Sequence, residues 1–128
     1  MAGKTEKDKS KTGRYAYEGL DRLIHERARL AILSSLAANG QGLTFNDLKD
    51  LCALTDGNLS RQLQMLKESS LVDIEKGTSG NRPQTMCRLT RSGRKRFLDY
   101  VAELEKVVSN ATAGARSAAD ERGGLSPA

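Results

Sequence analysis

The sequence has few of the residues that stabilise secreted proteins or anchor membrane proteins. Its 128 residues include no Trp, two Pro, two Cys and one His, and aromatic residues make up 4% of the chain. Cys52 and Cys87 are too few for a disulfide framework. No apolar run is long enough to indicate a signal peptide or a membrane-spanning helix. We therefore expect a cytoplasmic protein with no membrane partner.

The chain also lacks the residue sets that enzymes and metal sites require. Histidine-dependent catalysis would have to use His25, the single histidine, for which a structural role is favoured. The glycines form no phosphate-binding loop. Cys52 and Cys87 have no second thiol nearby, so we expect both to pack as small hydrophobic residues. Cys87 would be a redox switch only if it were exposed beside Arg88. We expect no catalytic residue, no metal and no cofactor.

The positive charge is concentrated in one part of the chain. The net charge is +5, and residues 61–100 carry nine basic and four acidic groups. A clustered excess of this kind is typical of proteins that bind nucleic acid. Residues 1–14 lack apolar periodicity and predict a disordered basic arm, residues 15–110 predict one folded domain, and residues 111–128 predict a disordered tail.

Apolar periodicity predicts three helices in the first half of the domain. The first covers residues 19–39 and the second about residues 46–53, after a very short strand at residues 43–45. Thr44 and Asp47 resemble a capping box for the second helix. The third helix covers residues 56–69, capped by Thr55 or Asp56, and buries Leu59, Leu63 and Leu66.

The second half predicts a β-hairpin and a final helix. Residues 71–76 alternate as a strand does, residues 77–83 are rich in turn residues, and residues 84–89 can pair with the first strand. Thr90 can cap a helix over about residues 91–110. The predicted fold is therefore mainly α-helical with a small β-hairpin (α+β), and its element order is that of a winged helix-turn-helix domain.

Four segments carry a resemblance to a known family: HERARLAIL (25–33), FNDLKDL (45–51), LTDGNLSRQL (54–63) and LTRSGR (89–94). Over residues 20–105 the chain resembles the small winged-helix transcriptional regulators of the ArsR/MarR-like superfamily of bacteria and archaea. The resemblance implies double-stranded DNA as partner, read by the third helix. Such proteins usually have Gly where Ser70 stands, so the end of that helix is expected to differ slightly.

The side of the third helix opposite its leucines would face DNA. Arg and amide side chains match the hydrogen-bonding edges of guanine and adenine in the major groove. An ordinary solvated surface is the alternative. The candidate base-reading residues are Asn58, Arg61, Gln64 and Met65.

Other polar residues are candidates for the DNA backbone and the minor groove. The hairpin tip, residues 76–83, has the composition of a wing that enters the minor groove, although it could be an idle basic turn. Hydroxyls at helix N-termini meet phosphates, but capping explains Thr44 and Thr55 equally well. The candidates are Thr44, Thr55, Ser60, Gln62, Lys76, Asn81, Arg82, Arg91 and Arg94.

Two helices have more apolar surface than one small core requires. The last helix carries an apolar seam with coiled-coil spacing, and the first helix is apolar on extra sides. The seam could cover the core of its own chain, or both helices could form a two-fold interface. The predicted dimer residues are Leu30, Leu33, Phe97, Val101, Leu104 and Val108.

The sequence therefore predicts a homodimeric, sequence-specific regulator of transcription associated with the nucleoid. Repression is expected because the chain has little room for an activation domain. A nonspecific protein that coats DNA and a winged-helix adaptor for other proteins are the alternatives. An unidentified small-molecule effector is left open.

Overall fold

The computed structural model describes residues 13–121. The predicted arm at residues 1–14 lies outside the described residues except for its last two positions, and so do residues 122–128 of the predicted tail. Asp21–Tyr100 form one compact unit, and residues 13–20 with 101–121 belong to another. The described elements are, in chain order, α1 (Arg27–Ala38), β1 (Leu43–Thr44), α2 (Phe45–Cys52), α3 (Asp56–Glu68), β2 (Val72–Ser79), β3 (Arg82–Leu89) and α4 (Arg91–Glu121). This order confirms the predicted winged helix-turn-helix.

The first helix begins later than the apolar pattern predicts. Glu26 is extended, with φ −153° and ψ 135°, and its carboxylate accepts a hydrogen bond from the backbone N–H of Arg29. Glu26 thus caps the helix at the position where Ser, Thr, Asp or Asn usually stands. Residues 19–26, predicted to be helical, form turns instead, and the Asp21 carboxylate accepts the N–H of Leu23 there.

Threonine caps start both helices of the helix-turn-helix. Thr44 Oγ1 accepts the N–H of Asp47 at 3.0 Å, and Thr55 Oγ1 accepts the N–H of Asn58 at 3.1 Å. The cap predicted at Thr44 is confirmed, and of the two candidates for α3 the cap is Thr55. Between the helices, Ala53 takes a left-handed conformation with φ 54° that ends α2.

The sheet has the antiparallel strand order β1-β3-β2. Leu43 of β1 pairs with Cys87 of β3, and Ser79 pairs with Arg82 at the end of the hairpin. Residues 77–83 were predicted to be turn, but only residues 80 and 81 form it. Gly80 has φ 65°, which suits the first position of a two-residue hairpin turn, so both strands continue to the tip.

The core of the Asp21–Tyr100 unit contains side chains from every helix and from the hairpin. Leu59, Leu63 and Leu66 are buried as predicted. Leu33 and Phe97, predicted to lie in a dimer interface, are 0% and 5% exposed, so the chain itself covers them. These two residues therefore belong to the core of their own chain, because a buried side chain leaves no surface for a partner. The other buried apolar residues include Ile24, Ala28, Ile32, Leu36, Leu48, Leu71, Val72, Cys87 and Tyr100.

The junction between α3 and β2 is a tight helix C-terminus. The N–H of Leu71 donates to the Leu66 carbonyl, and the N–H of Ser70 donates to the Lys67 carbonyl, both at 2.9 Å. This is the Schellman pattern, and Ser70 has the left-handed φ of 62° that glycine usually supplies. The end of α3 is therefore formed without the expected glycine, and the difference predicted there is not found.

Residues 13–20 and 101–121 form the smaller unit. Asn110 Nδ2 donates to the Tyr17 hydroxyl at 3.0 Å, and Lys106 pairs with Glu103. The helix continues to Glu121, so the prediction of a disordered tail is wrong for residues 111–121. Five alanines among these eleven residues have the highest helix propensity and outweigh Gly114. Within residues 13–121, no helix has the length and apolarity needed to cross a membrane.

Candidate nucleic-acid interface

The outward face of α3 presents polar side chains because its three leucines point into the core. Arg61 and Gln64 are exposed, Met65 is 37% exposed and Asn58 is half-buried. The hydrogen bonds of this face are formed largely within α3. Asn58 Oδ1 accepts from Arg61 Nη2 at 3.2 Å, and Gln64 Nε2 donates to Glu68 Oε2 at 3.1 Å. By helical angle, Arg61 lies between Gln64 and Met65 on the exposed face.

A groove runs between α3 and the hairpin. Ser60, Gln64 and Lys67 line it from α3. Lys76 and Thr85 line it from the hairpin, together with Phe45 and two apolar residues, Leu63 and Ile74. The structure thus brings together the predicted residues Ser60, Gln64 and Lys76 on one surface.

A second groove adjoins the first, because Phe45 and Thr85 line both. It lies between the N-terminus of α2 and the end of the hairpin. Thr44 and Arg82, two of the predicted backbone contacts, lie on its opposite sides. Asn81 occupies the turn beyond Arg82. The remaining residues that line this second groove are Asn46, Ser79, Pro83 and Gln84.

The two grooves are bordered by unpaired positive charge. Lys67, Lys76 and Arg82 are exposed, and within residues 13–121 none of them forms an ion pair. The neighbouring cation Arg88, by contrast, contacts Glu75 at 3.1 Å. Exposed cations without carboxylate partners are available to phosphate. The electrostatics of this surface therefore suit an anionic strand.

Two predicted contacts face α1 instead. The Arg29 guanidinium donates to Gln62 Oε1 at 3.0 Å and lies 3.3 Å from Met65 Sδ. Gln62 was predicted to contact the DNA backbone and Met65 to read bases. Both positions are shifted around α3 from Arg61 toward α1, which explains why they contact Arg29.

Arg91 and Arg94 are not brought to the grooves. They lie on the first turn of α4, just after Leu89, which pairs with Val72 at the base of the hairpin. Arg82 lies at the other end of β3, about 23 Å from Leu89 along this eight-residue strand. The cations that follow them on α4 are paired, Lys95 with Asp99 and Arg96 with Asp21.

Sequence reasoning missed three residues that matter to this surface. Lys67 follows Ser60 and Gln64 at helical spacing, so a helical projection extended by one turn would have found it. Asn46 lies on the first turn of α2, two residues after the capping threonine, and helix N-termini are sites where proteins commonly bind phosphates. Arg29 is one of the two arginines on the first turn of α1, and only the structure shows that it reaches α3.

The cysteines and the histidine have structural surroundings. Cys87 is fully buried, and burial raises the pKa of its thiol to about 11. The alternative of a redox switch at Cys87 is therefore wrong. Cys52 is half-buried, with Ser35 Oγ 3.6 Å from its sulfur. His25 Nδ1 lies 2.7 Å from the Tyr100 hydroxyl. In the described part of the chain, no cluster of His, Cys, Asp or Glu could hold a metal ion.

A helix-turn-helix that presents a polar helix face, followed by a basic hairpin beside that face, is the arrangement that defines winged-helix DNA-binding proteins. The chain belongs to the winged helix DNA-binding domain family, whose model matches residues 28–108. An uncharacterised protein of Methanocaldococcus jannaschii is 36% identical over 66 residues, which cover 52% of this chain and 72% of the relative.

Solved structures share the fold. A transcriptional regulator homologue from Pyrococcus horikoshii superimposes with a TM-score of 0.66 and 23% identity, over 71% of this chain and 89% of the other. A MarR family transcriptional regulator from Silicibacter pomeroyi gives 0.52 and 26%, over 81% and 61%. The chain is therefore a winged-helix DNA-binding protein, and its fold is similar to that of MarR family transcriptional regulators.

Proposed function

We propose that the protein is a sequence-specific repressor that binds double-stranded DNA as a homodimer. Helix α3 enters the major groove, with Arg61 and Gln64 directed at base edges. The hairpin tip, Asn81 and Arg82, reaches the adjacent minor groove. Repression follows from occupation of the operator. A small-molecule effector and a location at the nucleoid stay predictions.

The observation that carries the proposal is that α3 and the hairpin line the same groove. A helix in the major groove leaves the neighbouring phosphate backbone beside it, and the minor groove follows beyond that backbone. The groove bordered by Lys67 and Lys76 lies between the two elements that would occupy the two DNA grooves. Thr44 and Arg82 border its extension. The surface therefore has the order of contacts that a duplex requires.

The proposal of a homodimer is supported by the apolar seam of α4 in the smaller unit. Val108 is 59% exposed, and Val101 and Leu104 are half-buried. Leu30 on α1 is also half-buried, so it keeps apolar surface that its own chain does not cover. A two-fold dimer would present two α3 helices to half-sites about one helical turn apart. The operator should then be an inverted repeat.

Selection of bound sequences from random duplexes tests the proposal. The full chain should enrich one inverted repeat, and footprinting should show two protected half-sites. Arg61→Ala should weaken binding to the selected site by about 1–3 kcal/mol while affecting a scrambled duplex much less. Lys67→Ala should weaken both duplexes alike and reduce the salt slope by about one.

Arg116→Ala is the matched control, because Arg116 is an exposed cation on the part of α4 beyond the seam. It should change neither the affinity nor the selected sequence. Enrichment of no sequence, with retained affinity for any duplex, would indicate the coating protein instead. Failure to bind any duplex would favour the adaptor. Loss of promoter output on addition of the protein to an in vitro transcription reaction would support repression.

A further inference from the structure

Arg29 reaches from α1 to Gln62 and Met65, on the flank of α3 beside the face that carries Arg61. Its side chain is 15% exposed, so most of it is enclosed by protein. The guanidinium donates through Nε to the Leu23 carbonyl and through Nη1 to Gln62 Oε1 at 3.0 Å. The carboxylate of Glu26 lies 3.7 Å from the same Nη1. Several contacts therefore fix the orientation of this side chain before any ligand binds.

A chain of hydrogen bonds continues from Arg29 along α3. Arginine can only donate, so Gln62 must turn its oxygen toward Arg29 and its NH₂ group toward Asn58. Gln62 Nε2 donates to Asn58 Oδ1 at 3.2 Å, and the same oxygen accepts from Arg61 Nη2 at 3.2 Å. The orientation of Arg29 thus determines that of the Gln62 amide, which holds the acceptor of Arg61 in place.

These hydrogen bonds limit which further groups the Asn58 side chain can bind. A side-chain carbonyl oxygen has two acceptor sites, and both are used within the protein by Gln62 and Arg61. Reading adenine with both ends of the amide would require this oxygen to accept a hydrogen bond from the base. Asn58 is therefore suited to hold Arg61 rather than to read a base. Arg61 keeps its other N–H donors for the DNA.

We propose that Arg29 is a positioning residue for sequence recognition, which acts through Gln62 and Asn58 on the guanidinium of Arg61. The inference rests on the proposed function and adds to it a determinant of specificity that does not touch DNA. Pre-orientation matters because an arginine that reads guanine must present two N–H groups in one plane. A freely rotating Arg61 would still attract phosphate but would discriminate bases less well.

Equilibrium binding by variants of the full chain separates this role from a structural one. Arg29→Gln should reduce the ratio of specific to nonspecific affinity about tenfold, with the affinity for a scrambled duplex and the salt slope unchanged. Gln62→Glu should have a similar effect, because it keeps an acceptor for Arg29 but removes the donor to Asn58. Arg29→Lys keeps a charged donor, so it should retain part of the affinity ratio that Arg29→Gln loses. Thermal melting would show that each variant is folded at the assay temperature.

Arg27→Gln is the matched control, since it removes the same charge two residues earlier on the exposed side of α1. It should leave the affinity ratio unchanged. An equal loss of affinity for both duplexes in Arg29→Gln and in Gln62→Glu would show a structural role and overturn the inference. A salt slope reduced by about one in Arg29→Gln would mean that Arg29 contacts phosphate, which also overturns it.

The sequence preference of the wild-type protein distinguishes failure of the inference from failure of the proposed function. If wild type prefers a sequence and Arg29→Gln keeps that preference in full, only the positioning role is wrong. If wild type prefers no sequence, the proposed function is wrong and the inference falls with it.

Discussion

At the scale of single residues, two glycines of α4 differ in what surrounds them. A Cβ on Gly93 would lie 2.1 Å from the Leu71 carbonyl oxygen, whereas a Cβ on Gly114 would meet nothing within 4 Å. Gly→Ala inside a helix ordinarily stabilises by up to about 1 kcal/mol. Gly93→Ala should instead destabilise the fold by about 2 kcal/mol or more, because α4 must separate from the start of β2. Urea unfolding measures the difference.

Gly114→Ala is the matched control on the same helix. It should be neutral or raise the free energy of unfolding. Equal, stabilising effects of the two substitutions would show that α4 does not pack closely on Leu71.

The two cysteines should differ in reactivity toward a thiol reagent. Cys87 is fully buried and its thiol pKa is about 11, so little thiolate forms at pH 8 and the reagent cannot reach it. Cys52 is half-buried. Titration of the native protein at pH 8 should modify Cys52 first, and Cys87 only after denaturant is added. Rapid modification of native Cys52→Ala would show that Cys87 is accessible.

At the scale of elements, an ion pair joins the segment before α1 to the start of α4. Both oxygens of Asp21 accept hydrogen bonds from the Arg96 guanidinium. This bonding lowers the pKa of Asp21 below its ordinary value and raises the pKa of Arg96. Because the folded pKa is lowered, the stabilisation is complete above the unfolded pKa, about 3.9, and is lost as pH falls through the folded value.

Asp21→Asn should therefore be less stable than wild type by a constant amount between pH 5 and pH 7. Below about pH 4 the difference should shrink, because the wild-type carboxylate becomes protonated. Asp47→Asn serves as the comparison, since Asp47 is exposed and has no ion-pair partner in the described chain. A difference that grows on acidification would contradict this assignment.

The elements were predictable where a local pattern decides the structure. The leucines of α3 and the threonine caps follow from periodicity and from backbone groups that need partners. The start of α1 was not predictable, because a glutamate caps it and Asp21 pairs with a residue 75 positions away. The strand ends were missed because turn residues can also continue a hairpin up to a two-residue turn.

The candidate site was predictable in outline and not in its details. The exposed face of α3 and the basic hairpin follow from the pattern, and these elements supply Arg61, Gln64, Lys76 and Arg82. Sequence alone could not tell that Gln62 and Met65 face Arg29, because helical angles give the direction of a side chain but not the neighbouring element. The position of Arg91 and Arg94 relative to the hairpin tip depends on the length of the two strands, which the alternation of apolar residues underestimated.

At the scale of the whole molecule, the proposed dimer makes a prediction for two exposed residues of α4. Val108, on the seam, is 59% exposed, and Leu98, off the seam, is 53% exposed. Val108→Asp should shift the protein toward monomer, because a charge would be buried in the interface. Leu98→Asp should leave the dimer intact. Light scattering across a concentration series measures both masses.

If the two substitutions dissociate the protein equally, the seam does not form the interface. A monomeric wild type would remove the dimer from the proposed function. Helix α3 would then be expected to recognise a single half-site.

The pairing of β1 with β3 has a consequence for the choice of operator. Thr44 is both the last residue of β1 and the cap of α2, and it is registered with Met86 in the wing strand. Backbone pairing therefore sets the spacing between the N-terminus of α2 and the hairpin, and rotation of side chains cannot change it. In the proposed complex, the duplex has to adapt its groove width to that spacing, at a cost that depends on the stiffness of each base step. Operators should thus be distinguished partly by base pairs that no side chain touches.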